Sequence, residues 1–259
     1  LIMRLNQIYS TFIFEVRWLS VEIKLWKDVD LHDCIFITGF HSVIGETGYI
    51  AVRHLVKALK PERIGFIETA LLPPITSLEN SRLTFPFELF KSENIVILFP
   101  RVIPYRAEQR RFAEKVAEWL VKHHFKEAVL IGGLDSQFKS GDSEFRVVPT
   151  SAMLQKALDK KFILLEEELS VFGPLALTLT YLEINNFPAL AILPFAQRGR
   201  PDPRAAATAI EKINLLLGLS IPTTELIRDA HEIEEEIGKI LKQQEERELR
   251  REPREDMYI

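Results

Sequence analysis

One cysteine, Cys34, is all the thiol chemistry in this chain, which excludes an intrachain disulfide and a cysteine-built zinc site. Set in the apolar run Cys34-Ile35-Phe36-Ile37, it reads as a buried strand residue, and its solitude fits a reducing cytosol. No run of about eighteen apolar residues occurs, so no membrane-spanning helix is expected. Charge of one sign is not in excess: 33 Lys and Arg stand against 37 Asp and Glu, a net of −4. With a pI near 6.0, nothing calls for nucleic acid or an anionic membrane as the main partner. The short basic pairs Arg110 with Arg111 and Arg198 with Arg200 read as solvated surface. Also missing are a phosphate-cradling Gly-Lys-Ser/Thr loop, a Gly-x-Ser-x-Gly nucleophile elbow and any His pair at metal-ligand spacing. No cofactor, no metal site and no catalytic residue is therefore expected.

What the chain does have is an ordinary globular composition, 47% apolar and 27% charged over 259 residues, enough to bury a large core. Residues 12–18 alternate as a strand would, with Phe12, Phe14, Val16 and Trp18 on one side. Val21, Ile23 and Leu25 then alternate with Glu22 and Lys24. This period argues for strands and against a leader or a span. Strand-like runs at 35–38, 63–68, 95–99, 128–131, 162–165 and 189–193 take turns with helical patterns at 48–59, 106–123, 150–158, 173–185 and 203–217. Because the central runs are continuously apolar, they read as strands covered on both faces, a mostly parallel sheet between two helical layers. Asp202 as N-cap, Pro203 at the first helical position and Gly218 past the end punctuate the last of these helices. Residues 71–90 lack a clean period, hold three prolines and read as an irregular excursion with one short strand near Leu83. The expected division is a single α/β/α domain over 1–222, a charged helix over 223–252 and a tail over 253–259.

Two glycine-bearing loops follow strands of this sheet, Gly39 through Gly48 and Gly132-Gly133-Leu134-Asp135. Carboxyl ends of parallel strands are where such folds keep ligands, and His41, Glu46, Asp135 and Arg101 would line a pocket there. Their spacing matches no known fingerprint, so tight turns that permit close packing are the expected role. An enzyme of the phosphorylase or hydrolase type using these loops is the alternative.

From 223 onward the pattern changes. Leu226, Ala230, Ile233, Ile237, Ile240 and Leu241 recur at spacings of three and four on a helix otherwise rich in Glu and Lys. This narrow seam packs either on the domain's own flank or against copies of itself. Beyond it a polar run from Lys242 to Asp256 carries Met257-Tyr258-Ile259, an apolar residue, a Tyr and a carboxylate-bearing end. A Tyr ring with its hydroxyl and a free carboxylate suit capture in a partner's pocket. Fifteen residues of linker reach about 50 Å extended and about half that as helix.

Several segments together resemble the proteasome assembly chaperone family in its archaeal form. They are Ile35 to Phe40 with Gly45 and Gly48 and the helix after them, the strand ending in Gly132-Gly133, Gly173-Pro174-Leu175, and Pro201-Asp202-Pro203-Arg204-Ala205-Ala206 leading to Leu217-Gly218-Leu219. The resemblance implies a three-layer α/β/α sandwich like that of nucleoside phosphorylases, without their catalytic residues. It also gives the ending a role, since Met257, Tyr258 and Ile259 are similar to the hydrophobic-Tyr-any ending that docks between α-ring subunits of the proteasome core particle. The expectation is a cytoplasmic, ATP-independent activator or assembly chaperone acting as a homo-oligomer, a tetramer or pentamer, with the core particle's α-subunits as partners. No nucleic acid or membrane partner is expected. A scaffold that assembles with a paralogous chain and sequesters its tails is a further alternative.

Overall fold

The computed structural model describes residues 20–251, with side chains as far as Ile237. The central element is a mixed sheet in the order β1-β3-β6-β7-β2-β8-β11-β10, with β9 (Leu134–Asp135) paired to the end of β11. Its middle is parallel: β7 (Ile95–Pro100), β2 (Ile35–Gly39), β8 (Glu127–Ile131) and β11 (Ala189–Ala196) run side by side. Antiparallel strands flank them. β10 (Phe145–Pro149) closes one side, while β6 (Phe87–Ser92), β3 (Glu62–Thr69) and β1 (Val21–Leu25) extend the other.

The strand pleat sends alternate side chains into two cores. Phe36, Ala128, Leu130, Ala191 and Leu193 face one, packed with α2 (Gln109–Lys122) and α4 (Gly173–Ile184). Ile35, Ile37, Val129, Ile131 and Ile192 face the other, packed with α1 (Thr47–Leu59), α3 (Leu154–Asp159) and α5 (Pro203–Leu217). The result is a three-layer α/β/α sandwich. It explains why the central strands carry no alternation of polar and apolar residues: both faces are dry.

α5 begins and ends where its punctuation says it should. Asp202 accepts a hydrogen bond from Ala205 N at 3.0 Å, and Gly218 adopts a left-handed φ of 70° as the C-cap. Along its outer side runs α6 (Thr224–Arg251). Leu226 and Ala230 of the seam are buried on the domain itself, and Ile233 and Ile237 are half-buried. Arg204 holds Glu234 through paired hydrogen bonds of 3.0 and 2.9 Å, and Lys57 of α1 pairs with Glu225. The side chains of Ile240 and Leu241 lie outside the described residues, as do residues 12–18 and the whole of Met257, Tyr258 and Ile259.

Three local expectations differ from the structure. The irregular stretch 71–90 holds the short strand expected near Leu83, β5 (Arg82–Leu83), but also β4 (Leu78–Glu79) and most of β6. Strand β10 occupies 145–149, where none was expected. Residues 162–165 do not form a strand of their own; Leu164 makes one isolated bridge to Val147.

Candidate functional site

At the carboxyl ends of β2 and β8 the two glycine loops meet, and they meet backbone to backbone. A Cβ on Gly39 would stand 2.6 Å from the carbonyl oxygen of Gly48, and one on Gly48 would stand 2.4 Å from that of Ile131. A Cβ on Gly133 would fall 2.8 Å from the carbonyl oxygen of Ile44. These glycines exist so that the start of α1 can lie directly on the ends of two strands. At these three positions the glycines serve contact between the chain's own backbone segments. The loop is then tied to the end of β11, where Gly45 N donates to Gln197 O at 2.9 Å and Gly199 N to Val43 O at 2.7 Å.

The polar residues expected around these loops are each engaged within the fold. The His41 ring stacks on Tyr49 with centroids 3.7 Å apart, its Nε2 lies 3.0 Å from the Arg101 carbonyl oxygen, and its Nδ1 lies 3.8 Å from Glu46. Asp135 accepts from Gln137 N at 3.1 Å and faces Arg198 at 3.8 Å. At the N-terminus of α5, a natural anion site, the Asp202 carboxylate takes both Ala205 N and Gln197 N at 3.0 Å. The arrangement braces three strand ends and two helices into one junction.

Arg101 belongs to a different cluster. Its guanidinium binds Glu88 at 2.7 Å and Glu79 through two hydrogen bonds of 2.7 and 2.8 Å, while Arg63 reaches the second oxygen of Glu88 at 2.9 Å. Glu88 is 1% exposed, so its charge is compensated almost entirely by these two cations. Burial alone would weaken the Arg101 hold on its proton, but hydrogen bonds to Glu79 and Glu88 outweigh it and keep the group above the ordinary guanidinium range. The same contact, opposed by partial burial, holds Glu79 below the usual carboxylate range. Glu88 and Arg63 had not been singled out in the sequence. The available signal was a lone Glu inside the apolar run Phe87-Glu88-Leu89-Phe90, a buried charge requiring a partner.

Among the described residues, no group of three His, Cys, Asp or Glu side chains is placed to hold a metal ion. Nor is any helix there long and apolar enough to cross a membrane.

Comparison with known proteins agrees with this architecture. PbaA of Pyrococcus furiosus, described as an archaeal homolog of proteasome-assembly chaperone, is 24% identical with a TM-score of 0.75, over 89% of this chain and 95% of that one. PbaB of the same organism, described as an archaeal proteasome activator, is 21% identical with a TM-score of 0.69, over 85% of this chain and 98% of that one. An uncharacterised protein of Methanocaldococcus jannaschii is 24% identical over 217 residues, 83% of this chain and 88% of its own length. At such identities the solved structures speak to the fold. The family assignment rests on a profile match that runs from the second residue of β2 into α6, residues 36–241, and by it the chain belongs to the PAC2 family.

Proposed function

We propose that this protein is an ATP-independent, non-catalytic proteasome-binding protein, an activator or assembly chaperone, that docks its C-terminal residues into pockets of the core-particle α-ring. The observation that carries the reading is the conjunction of a shared fold with the ending of the chain. The body is similar over most of its length to PbaA and PbaB, and the sequence finishes in Met257-Tyr258-Ile259.

In this reading the Ile259 carboxylate pairs with a pocket Lys, Tyr258 lodges at the rim and Met257 packs on the apolar wall. So few atoms bind weakly alone. Several tails on one homo-oligomer raise the apparent affinity by about 10² to 10⁴ if their linkers reach. The protein works in the cytoplasm, as a tetramer or pentamer or together with a paralogous chain. The domain, the charged helix and the tail, 1–222, 223–252 and 253–259, act as body, spacer and anchor.

The test is peptide hydrolysis by a matched archaeal core particle without ATP, run with the full chain and with a chain ending at Asp256. Tail-dependent acceleration identifies a gate-opening activator. Tail-dependent capture of free α-subunits without acceleration identifies an assembly chaperone. The absence of both overturns the proposal.

A further inference from the structure

Above the Arg101 cluster lies a cleft of ≈ 870 Å³ between the C-terminal half of α1 and the β4–β5 hairpin. Its volume is that of a ligand pocket, and its charge is lopsided. Six cations line it, Arg53, Lys57, Lys60, Arg63, Arg82 and Arg101, against three anions, Glu62, Glu79 and Glu88. The anions are already taken. Glu88 is shared by Arg63 and Arg101, Glu79 is gripped by Arg101, and Glu62 is held at 2.7 Å by Lys27 from outside the cleft. Lys57 is paired with Glu225.

Among the described residues this leaves Arg53, Lys60 and Arg82 exposed on the walls without a direct ion pair, Arg53 acting on Glu79 only at longer range than Arg101 does. Arg53 stands on α1, Lys60 follows its last residue as the left-handed C-cap, and Arg82 comes from the hairpin. The lining also includes Val56, Phe90 and Phe99, so the cleft is cationic at its walls and partly apolar.

We infer that this cleft is a docking site for an acidic, partly apolar peptide segment of a partner protein, separate from the tail and independent of what the tail binds. Charge complementarity carries the assignment. The fold itself shows the mode, because Glu79 enters from the surface hairpin and is held by Arg101 in the paired geometry that guanidinium offers to carboxylate. Cations carried by the helix, its C-cap and the hairpin match carboxylates distributed along an extended chain better than one compact phosphate. A continuous polyanion such as nucleic acid is disfavoured by the net charge of −4 and by the carboxylates in the lining.

The experiment is fluorescence anisotropy of the full chain with a fluorescein-labelled peptide of about eight residues alternating Glu and Leu, a length that spans the separated cations. Its Gln/Leu counterpart and a single-stranded oligothymidylate of equal length serve as competing probes. The variant Arg53→Gln/Lys60→Gln/Arg82→Gln removes three wall charges without a direct ion pair, all on exposed side chains, and Lys122→Gln/Lys126→Gln/Lys161→Gln removes three exposed charges elsewhere. The expected result is saturable binding of the Glu peptide, weakened roughly tenfold or more by the wall variant. The second variant and thermal stability should stay unchanged, and the Gln peptide should bind far less. Absence of saturable binding overturns the inference. So does equal binding by the wall variant or by the Gln peptide, or preference for the oligonucleotide.

Discussion

Replacing Gly48 by Ala puts the role of the glycine junction at risk. Inside a helix this exchange ordinarily stabilises by about 1 kcal/mol. Here the new methyl group would sit 2.4 Å from the Ile131 carbonyl oxygen and 2.9 Å from both the nitrogen and the oxygen of Phe40. All three are backbone atoms at the ends of adjacent strands, so no side chain can rotate away. To restore even 3.0 Å to Ile131, α1 must withdraw by about 0.6 Å, and the close packing of Ala51, Val52 and Leu55 beneath it resists. Overpacking of this kind costs about 1–3 kcal/mol, and the backbone character of the contacts places it at the upper end. Subtracting the gain in helix propensity leaves a net loss of about 2 kcal/mol, or roughly 4–8 °C in Tm for a domain of this size. Thermal and urea unfolding followed by circular dichroism measure it directly. A neutral or stabilised Gly48→Ala protein would mean that the loop has slack, and the case for a closed junction over a ligand cradle would fail.

Glu88→Gln removes the buried carboxylate beneath Arg63 and Arg101. Because Arg101 keeps Glu79 and Arg63 is 21% exposed, the expected loss is about 2–3 kcal/mol, read as a lower urea midpoint with unchanged slope. The pH dependence has a definite sign. Glu79, Glu166, Glu183, Glu225 and Glu234 all have carboxyls held below their ordinary value of 4.5 by hydrogen-bonded partners. Their contribution is present above that value and lost as pH falls through the lower folded values. Tm should hold near pH 6 and drop in the acid range below about 4.5, and Glu79→Gln should shallow that drop. Burial pushes the Cys34 thiol above its ordinary range, and the side chain is 3% exposed. A thiol reagent at about pH 8 should therefore leave the native protein unmodified and label one thiol per chain after denaturation; rapid native labelling would contradict the burial.

The parts of the fold that could be read in advance are those whose local chemistry and tertiary role agree. β2, β8 and β11 are dry on both faces and so apolar but for Thr38 and, at the start of β8, Glu127. The Asp202, Pro203 and Gly218 signals of α5 satisfy backbone groups that any helix leaves open. The two longer strands that were missed share one trait: each carries a buried charge. Glu88 interrupts β6 and Arg146, 3% exposed, interrupts β10, because their compensating partners, Arg63, Arg101 and Glu166, come from distant positions. The antiparallel turn from β6 to β7 was hidden for a related reason. Its two residues, Glu93 and Asn94, lack the Asn-Gly signature, yet Glu93 takes a φ of 50°. In the candidate site, the packing use of the glycines was legible from their place after strands. The Arg101 cluster was not, since it depends on a hairpin that emerges from a stretch with no period.

The direct test of the central claim is the affinity of the full-length chain for a matched core particle, compared with that of a chain lacking Met257, Tyr258 and Ile259. Circular dichroism and sedimentation would establish that body and oligomer are unchanged by the deletion. Binding lost by a factor of about 10² or more on deletion is the result expected from multivalent tail docking. Equal binding by the two chains would contradict it, and would move the contact with the proteasome, if any, to the folded body.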